Sequence, residues 1–106
     1  MEVLVVSCTF PDRQTAERIS RLAVEDRLAA CATLLSDAES IYHWKGRIET
    51  ARETPVTFKT TDDRFAALQA FLLKEHPYEV PEVVAWRVSD GAPAYLAWVE
   101  QCTRQE

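Results

Sequence analysis

The run "TLLSDAESIYHWKGRIETARETPVTFKTT", ending at Thr61, limits what this chain can fold into more than any other stretch. It reads as two extended arms on either side of Lys45 and Gly46, a Gly-containing two-residue link of the kind that closes a hairpin. Each arm holds roughly thirteen residues, about 40 Å at ~3.3 Å per residue, some twice the length of an ordinary strand. A domain of 106 residues cannot cover both ends of such arms. Their middle is polar, "SDAES" against "ETARET", yet the tip carries Ile41, Tyr42, Trp44 and Ile48, which are costly to leave in water. Either the tip projects and docks on another copy of the chain, or two short strands interrupted by a bulge fold it back on its own domain. Pro55 cannot donate to a ladder and marks a bulge or an edge in either case. The length of the arms and the apolar tip favour the projecting, docked arrangement.

The flanking pattern completes a fold. "VLVVSCT" is apolar on both alternating faces, as a central strand is. Asp12 then caps a helix with Ala16, Ile19, Leu22 and Ala23 at helical spacing, ending near Arg27. "DDRFAALQAFLLKEH" opens with Asp62 and Asp63, carboxylates suited to a helix N-terminus, aligns Phe65, Leu68 and Leu72, and stops at Pro77. "EVVAWRV" is a fourth strand, and "GAPAYLAWVEQCTR" supplies a closing helix with Pro93 near its start. The order β-α-β-β-α-β plus a C-terminal helix predicts one α+β, ferredoxin-like sandwich over residues 1–106. Right-handed crossovers put both connecting helices on one sheet face. The other face is left to the closing helix alone, a second reason to expect self-association.

Charge and cysteine usage narrow the function. A formal net charge of -5, a sequence pI near 5.0 and no Lys/Arg cluster oppose nucleic-acid binding and lean toward cations or basic partners. Three cysteines, Cys8, Cys31 and Cys102, form no C-x-x-C pair, which fits a reducing compartment. The N-terminal apolar run is acidic where a signal peptide is basic, and it is too short to span a bilayer, so the expectation is a cytoplasmic protein with no membrane segment.

The groups that could do chemistry concentrate in "KEHPYEVPEVVAW", Lys74 to Trp86. His76 sits where a helix ends, and capping a free carbonyl there is its simplest role. Its company argues for recognition: Tyr78 and Glu79 follow within a turn, between Pro77 and Pro81, which fix the backbone. Cys31 and Lys59 lie on hairpin partners, where the cation would favour thiolate, although "AAC" beside leucines also suits a buried core cysteine. No H-x-x-x-H, EF-hand loop or Cys/His pair at ligand spacing occurs. Any metal site must therefore be assembled in space, from Cys31, His76, Glu53, Glu79 and Glu82, a donor set suiting copper or zinc better than calcium. Without a nucleophile beside its activating base, or a phosphate-cradling loop, an enzyme has little support.

Read together, the motifs resemble the CutA divalent-cation-tolerance family: "LAAC" at Leu28 to Cys31, "SIYHWKG" at Ser40 to Gly46, Glu53, "KT" at Lys59 and Thr60, "HPYEVPE" at His76 to Glu82, and "YLAW" at Tyr95 to Trp98. They stand in the family's order and cover nearly the whole chain. The resemblance implies a fold similar to PII signalling proteins, a tight homotrimer with hairpins reaching neighbouring subunits, and a link to tolerance of copper and other divalent cations. It places Cys31, Tyr42, Trp44, Glu53, Lys59, His76, Tyr78, Glu79 and Glu82 around a cleft between subunits, with Cys31 and His76 the first choices as copper ligands and Glu79 and Glu82 beside them. The alternative is a PII-like scaffold or signalling module that binds a small anion or a partner protein without catalysis. Ala32, Thr33 and Pro55 depart from the family pattern and bear on the geometry near Cys31 and Glu53.

Overall fold

The computed structural model describes residues 1–105. Its elements are β1 (Val3–Phe10), α1 (Arg13–Glu25), β2 (Cys31–Leu34), β3 (Ala38–Trp44), β4 (Arg47–Thr61), α2 (Phe65–Glu75), β5 (Val84–Arg87) and α3 (Pro93–Thr103). The sheet runs β2-β4-β1-β5 with every neighbour antiparallel, and β3 pairs with β4 beyond the end of β2. With β2 and β3 counted as one interrupted strand, this is the order of a split βαβ sandwich. It is an antiparallel α+β fold with three helices.

Alternation along β1 sorts the sheet into two faces. Val6, Cys8 and Phe10 join Val56 and Phe58 of β4 under Ala16, Ile19 and Ala23 of α1 and Leu68 and Leu72 of α2, forming the main core. The opposite face has its own apolar cluster at one end only, where Val99 of α3 packs with Val3 and Ala30. Beyond α3 the bare face carries a transverse row of Cys31, Lys59, Val5 and Trp86, successive cross-strand partners. Trp86 is 52% exposed there.

The hairpin closes at Lys45 (φ 49) and Gly46 (φ 78), two left-handed residues whose twist matches that of the flanking strands. Its long arm is unbroken: β4 has 15 residues. The other arm is not continuous, which corrects the expectation of two full-length arms. Leu34 pairs with Val56 and Ala38 with Glu53, so residues 35–37 face only Thr54 and Pro55, one residue in excess. Pro55 explains the break. In a strand the N–H and C=O of one residue point the same way, and the Pro55 carbonyl accepts from Leu35 N–H, so the missing donor falls where the extra residue sits. Asp37 fastens the bulge by accepting from the Thr54 hydroxyl at 2.8 Å.

Three boundaries also differ from the sequence reading. The Asp12 cap holds, accepting from Thr15 N–H at 2.8 Å, a bond that lowers its carboxyl pKa, but α1 ends at Glu25, and Arg27 turns left-handed (φ 59). Asp62 and Asp63 do not cap α2. They accept instead from Glu2 N–H and the Thr61 hydroxyl, and the helix begins after Arg64 without a side-chain cap. The fourth strand of the sequence reading shortens to Val84–Arg87, and Glu82 accepts from the Ser7 hydroxyl.

Candidate functional site: the cleft under the hairpin

Helix α2 ends at His76 because Pro77 follows, and the chain then crosses the far end of β1. There the His76 ring is used at both nitrogens. Nε2–H donates to the Thr9 carbonyl at 2.7 Å, and Nδ1 accepts from Tyr78 N–H at 3.1 Å. The ring stacks on Phe10 with centroids 4.8 Å apart and is 7% exposed. Burial lowers its pKa, opposed by the Thr9 carbonyl and the Glu53 charge. The ring therefore caps no helix carbonyl, contrary to the expected role; it pins the "HPYEVPE" segment to β1, while the backbone N–H of His76 makes the last helical bond, to Leu72.

Tyr78 carries the connection onward. Its hydroxyl donates to Glu53 at 2.8 Å, so a buried carboxylate at the hairpin base holds the loop from the other side. Burial and that negative partner raise the Tyr78 pKa well above the usual tyrosine range. Glu82 accepts from the Ser7 hydroxyl at 3.1 Å, and its charge adds to burial in pushing the Cys8 thiol up to about 12. Cys8 is thus an inert core thiol.

Above this floor the hairpin ribbon bends over the loop. The cleft between them measures about 700 Å³, and its lining includes Thr9, Ser40, Tyr42, Trp44, Glu53, Tyr78, Glu79 and Glu82. Period-two alternation places Tyr42 and Trp44 on the same ribbon face as Glu53, the face toward the loop. Ile41 and Ile48 lie on the opposite face as diagonal neighbours, 68% and 61% exposed. The hairpin tip thus has an aromatic side that lines the cleft and an aliphatic side that stays mostly exposed, with Ile41 and His43 of that second side also reaching the cleft's rim. The chain's own Tyr42 and Trp44 close the cleft, where the sequence reading expected a neighbouring copy's. Lys45 at the tip reaches Glu79 at 3.8 Å, so the arm leans back toward its own domain while Ile41 and Ile48 stay uncovered.

Of the expected site residues, Tyr42, Trp44, Glu53, Tyr78, Glu79 and Glu82 come together here, and His76 supports the floor. Cys31 and Lys59 do not join them. They face each other on the bare sheet face, where the Cys31 thiol lies 3.6 Å from the Tyr95 hydroxyl. That contact comes first among the causes raising the Tyr95 pKa to about 12. From Cys31 to Thr9, which holds His76, is four residues along the strands and two strands across, on the order of 16 Å at sheet spacings. One ion cannot bridge Cys31 and His76 of the same chain. Among the described residues no group of three or more His, Cys, Asp or Glu is close enough to hold a metal. The sequence reading missed Ser7, Thr9 and Ser40, because serine and threonine inside apolar strands give no signal apart from their face. It missed Lys45 as well, although a lysine next to a tryptophan in a tight turn is a readable hint.

A family model described as "CutA1 divalent ion tolerance protein" matches residues 4–102. The chain belongs to the CutA1 divalent ion tolerance family. A CutA protein of Mus musculus is 46% identical over 95 residues, which cover 90% of this chain and 54% of that one, so this chain spans about half the length of the mouse protein. The divalent-cation tolerance protein CutA of Yersinia pestis (strain Pestoides F) is 38% identical over 96 residues, covering 91% and 81% of the two chains. Among solved structures, CutA from Xylella fastidiosa superposes with a TM-score of 0.95 at 41% identity, covering 98% of this chain and 100% of that one. The bent hairpin, the bulge opposite Pro55 and the capping α3 thus sit within a CutA fold. Among the described residues no helix is long and apolar enough to cross a membrane.

Proposed function

We propose that this CutA-family chain acts in divalent-cation tolerance as a PII-like homotrimer that binds copper or another divalent ion at the cleft under its hairpin, without catalysis. The supporting observation is the character of the lining: Glu53, Glu79 and Glu82 contribute carboxylates, and among the described residues no lysine or arginine lines the cleft, Lys45 reaching Glu79 only from its mouth. Such a surface favours a cation and works against the small anion of the alternative reading. Glu79, held only by a solvated pair with Lys45, is the oxygen donor with most room to move, since Glu53 is committed to Tyr78 and Glu82 accepts from Ser7.

A single chain does not by itself fit a copper ion, because His76 spends both ring nitrogens within the fold and too few other donors converge. The reading therefore requires a second copy to complete the coordination. The surfaces for assembly are the uncovered Ile41 and Ile48 and the bare sheet face around Trp86. Cys31, on that sheet face, enters the donor set only where assembly carries it to a neighbouring cleft. Three free thiols fit a reducing compartment, and we place the protein in the cytoplasm.

Equilibrium dialysis with copper tests the proposal on the assembled protein. Glu79→Gln with Glu82→Gln lowers uptake at least tenfold if the cleft is the site, while Cys31→Ser reports whether the thiol takes part. Uptake equal in wild type and the double variant would remove the cleft. A purified protein that stays a folded single copy at micromolar concentration would remove the trimer.

A further inference from the structure

The mouth of the cleft already holds a cation of the protein's own. The Lys45 ammonium lies 5.5 Å from the centroid of the Trp44 ring and 3.8 Å from the Glu79 carboxylate, flanked by a π face and a negative charge. Both side chains of the ion pair are mostly exposed, 70% for Lys45 and 69% for Glu79, and solvated contacts of this kind hold their cation weakly. Lys45 is fixed on a two-residue turn and is not among the residues lining the cleft, so the volume behind it, bounded by Tyr42, Tyr78 and Glu82, is left to another occupant.

The chemistry of that space suits a diffuse charge. A divalent metal demands several oxygen or nitrogen donors converging at short, fixed distances, whereas an alkylammonium is satisfied by one carboxylate and the faces of aromatic rings. Tyr42, Trp44 and Tyr78 supply the rings, with Glu79 and Glu82 as carboxylates. We propose that the cleft also recognises an organic ammonium, the alkylammonium group of a small molecule, which takes the place of the Lys45 ammonium between Trp44 and Glu79. The inference rests on reading the cleft as a cation site, and it makes Lys45 a tethered competitor at the entrance.

The probe is n-butylammonium, with neutral 1-butanol as its length-matched control, titrated into the full chain while the indole N–H resonances of Trp44, Trp86 and Trp98 are followed. Butylammonium shifts the Trp44 resonance saturably and at least about fivefold more tightly than 1-butanol. Lys45→Met, which keeps an unbranched side chain of similar length but removes the charge, tightens binding about threefold, and Glu79→Gln weakens it about threefold. Unchanged Trp86 and Trp98 resonances show that each variant is folded. Equal binding of 1-butanol, or a Lys45→Met variant that binds no more tightly than wild type, overturns the inference. The divalent reading fails separately: copper uptake lost with butylammonium binding retained sinks that reading and leaves this one, and the reverse outcome sinks this one alone.

Discussion

The hairpin is fastened in opposite ways at its base and at its tip. At the base, Glu53 is buried and accepts from Tyr78, Thr54 is buried and donates to Asp37, and His76 joins the loop to β1 with both ring nitrogens. At the tip, Lys45 and Glu79 meet in solvent, and Ile41 and Ile48 stay mostly exposed. Buried, fully paired groups are expensive to break, since a lost partner leaves the other stranded, whereas solvated pairs cost little to lose. Changes at the base should therefore register as stability, and changes at the tip as binding and assembly.

The largest expected effect is His76→Ala, which removes the stack on Phe10 and strands both the Thr9 carbonyl and Tyr78 N–H. A loss of about 3 kcal/mol in urea unfolding follows from the cavity and the unpaired groups. A loss below about 1 kcal/mol would mean that the base is not locked in this way. Tyr78→Phe is a milder cut at the same lock. It leaves the buried Glu53 carboxylate without its donor and costs about 1–3 kcal/mol, read as a lowered urea midpoint at an unchanged slope.

The base also gives a pH signature. Burial holds the folded His76 pKa below its usual 6.5, so on acidification the unfolded chain takes up a proton before the folded one does. Stability contributed by the neutral ring is complete above pH 6.5, falls as pH drops below it, and levels off beneath the folded pKa. The slope contributed by His76 should vanish in His76→Gln, measured by urea titration across that range. A wild-type slope retained in full would assign the effect to other groups. The smallest change belongs to the tip: Ile41→Ser with Ile48→Ser alters the stability of one chain by no more than about 0.5 kcal/mol, since both are already in water. Sedimentation of the same variant should show weakened assembly. A large loss of single-chain stability would show that the tip is packed after all.

Much of this contrast is legible in the residues. The Lys45-Gly46 turn, the length of β4, both crossover helices and the polar cluster after Pro77 follow from periodicity and from residues with restricted backbones. The bulge was announced by Pro55, but not which arm would carry it, because that depends on the side to which the missing N–H points. The tip residues looked like one greasy cluster until strand pairing divided Tyr42 and Trp44 from Ile41 and Ile48. His76 and Cys31 looked like natural co-ligands because histidine and cysteine share metal chemistry. Their separation is a property of the sheet, which sets them two strands and four residues apart. Asp62 and Asp63 resembled helix caps and serve instead as acceptors for Glu2 and Thr61, an outcome decided by the docking of β1 against the end of β4.

A copper soak of crystals of the assembled protein, with anomalous scattering to locate the ion, reaches the central question most directly. The arrangement described predicts a peak beneath the hairpin, within coordination distance of Glu79 or Glu82. A peak confined to the Cys31 or Cys102 thiols, with nothing beneath the hairpin at full occupancy elsewhere, would contradict it.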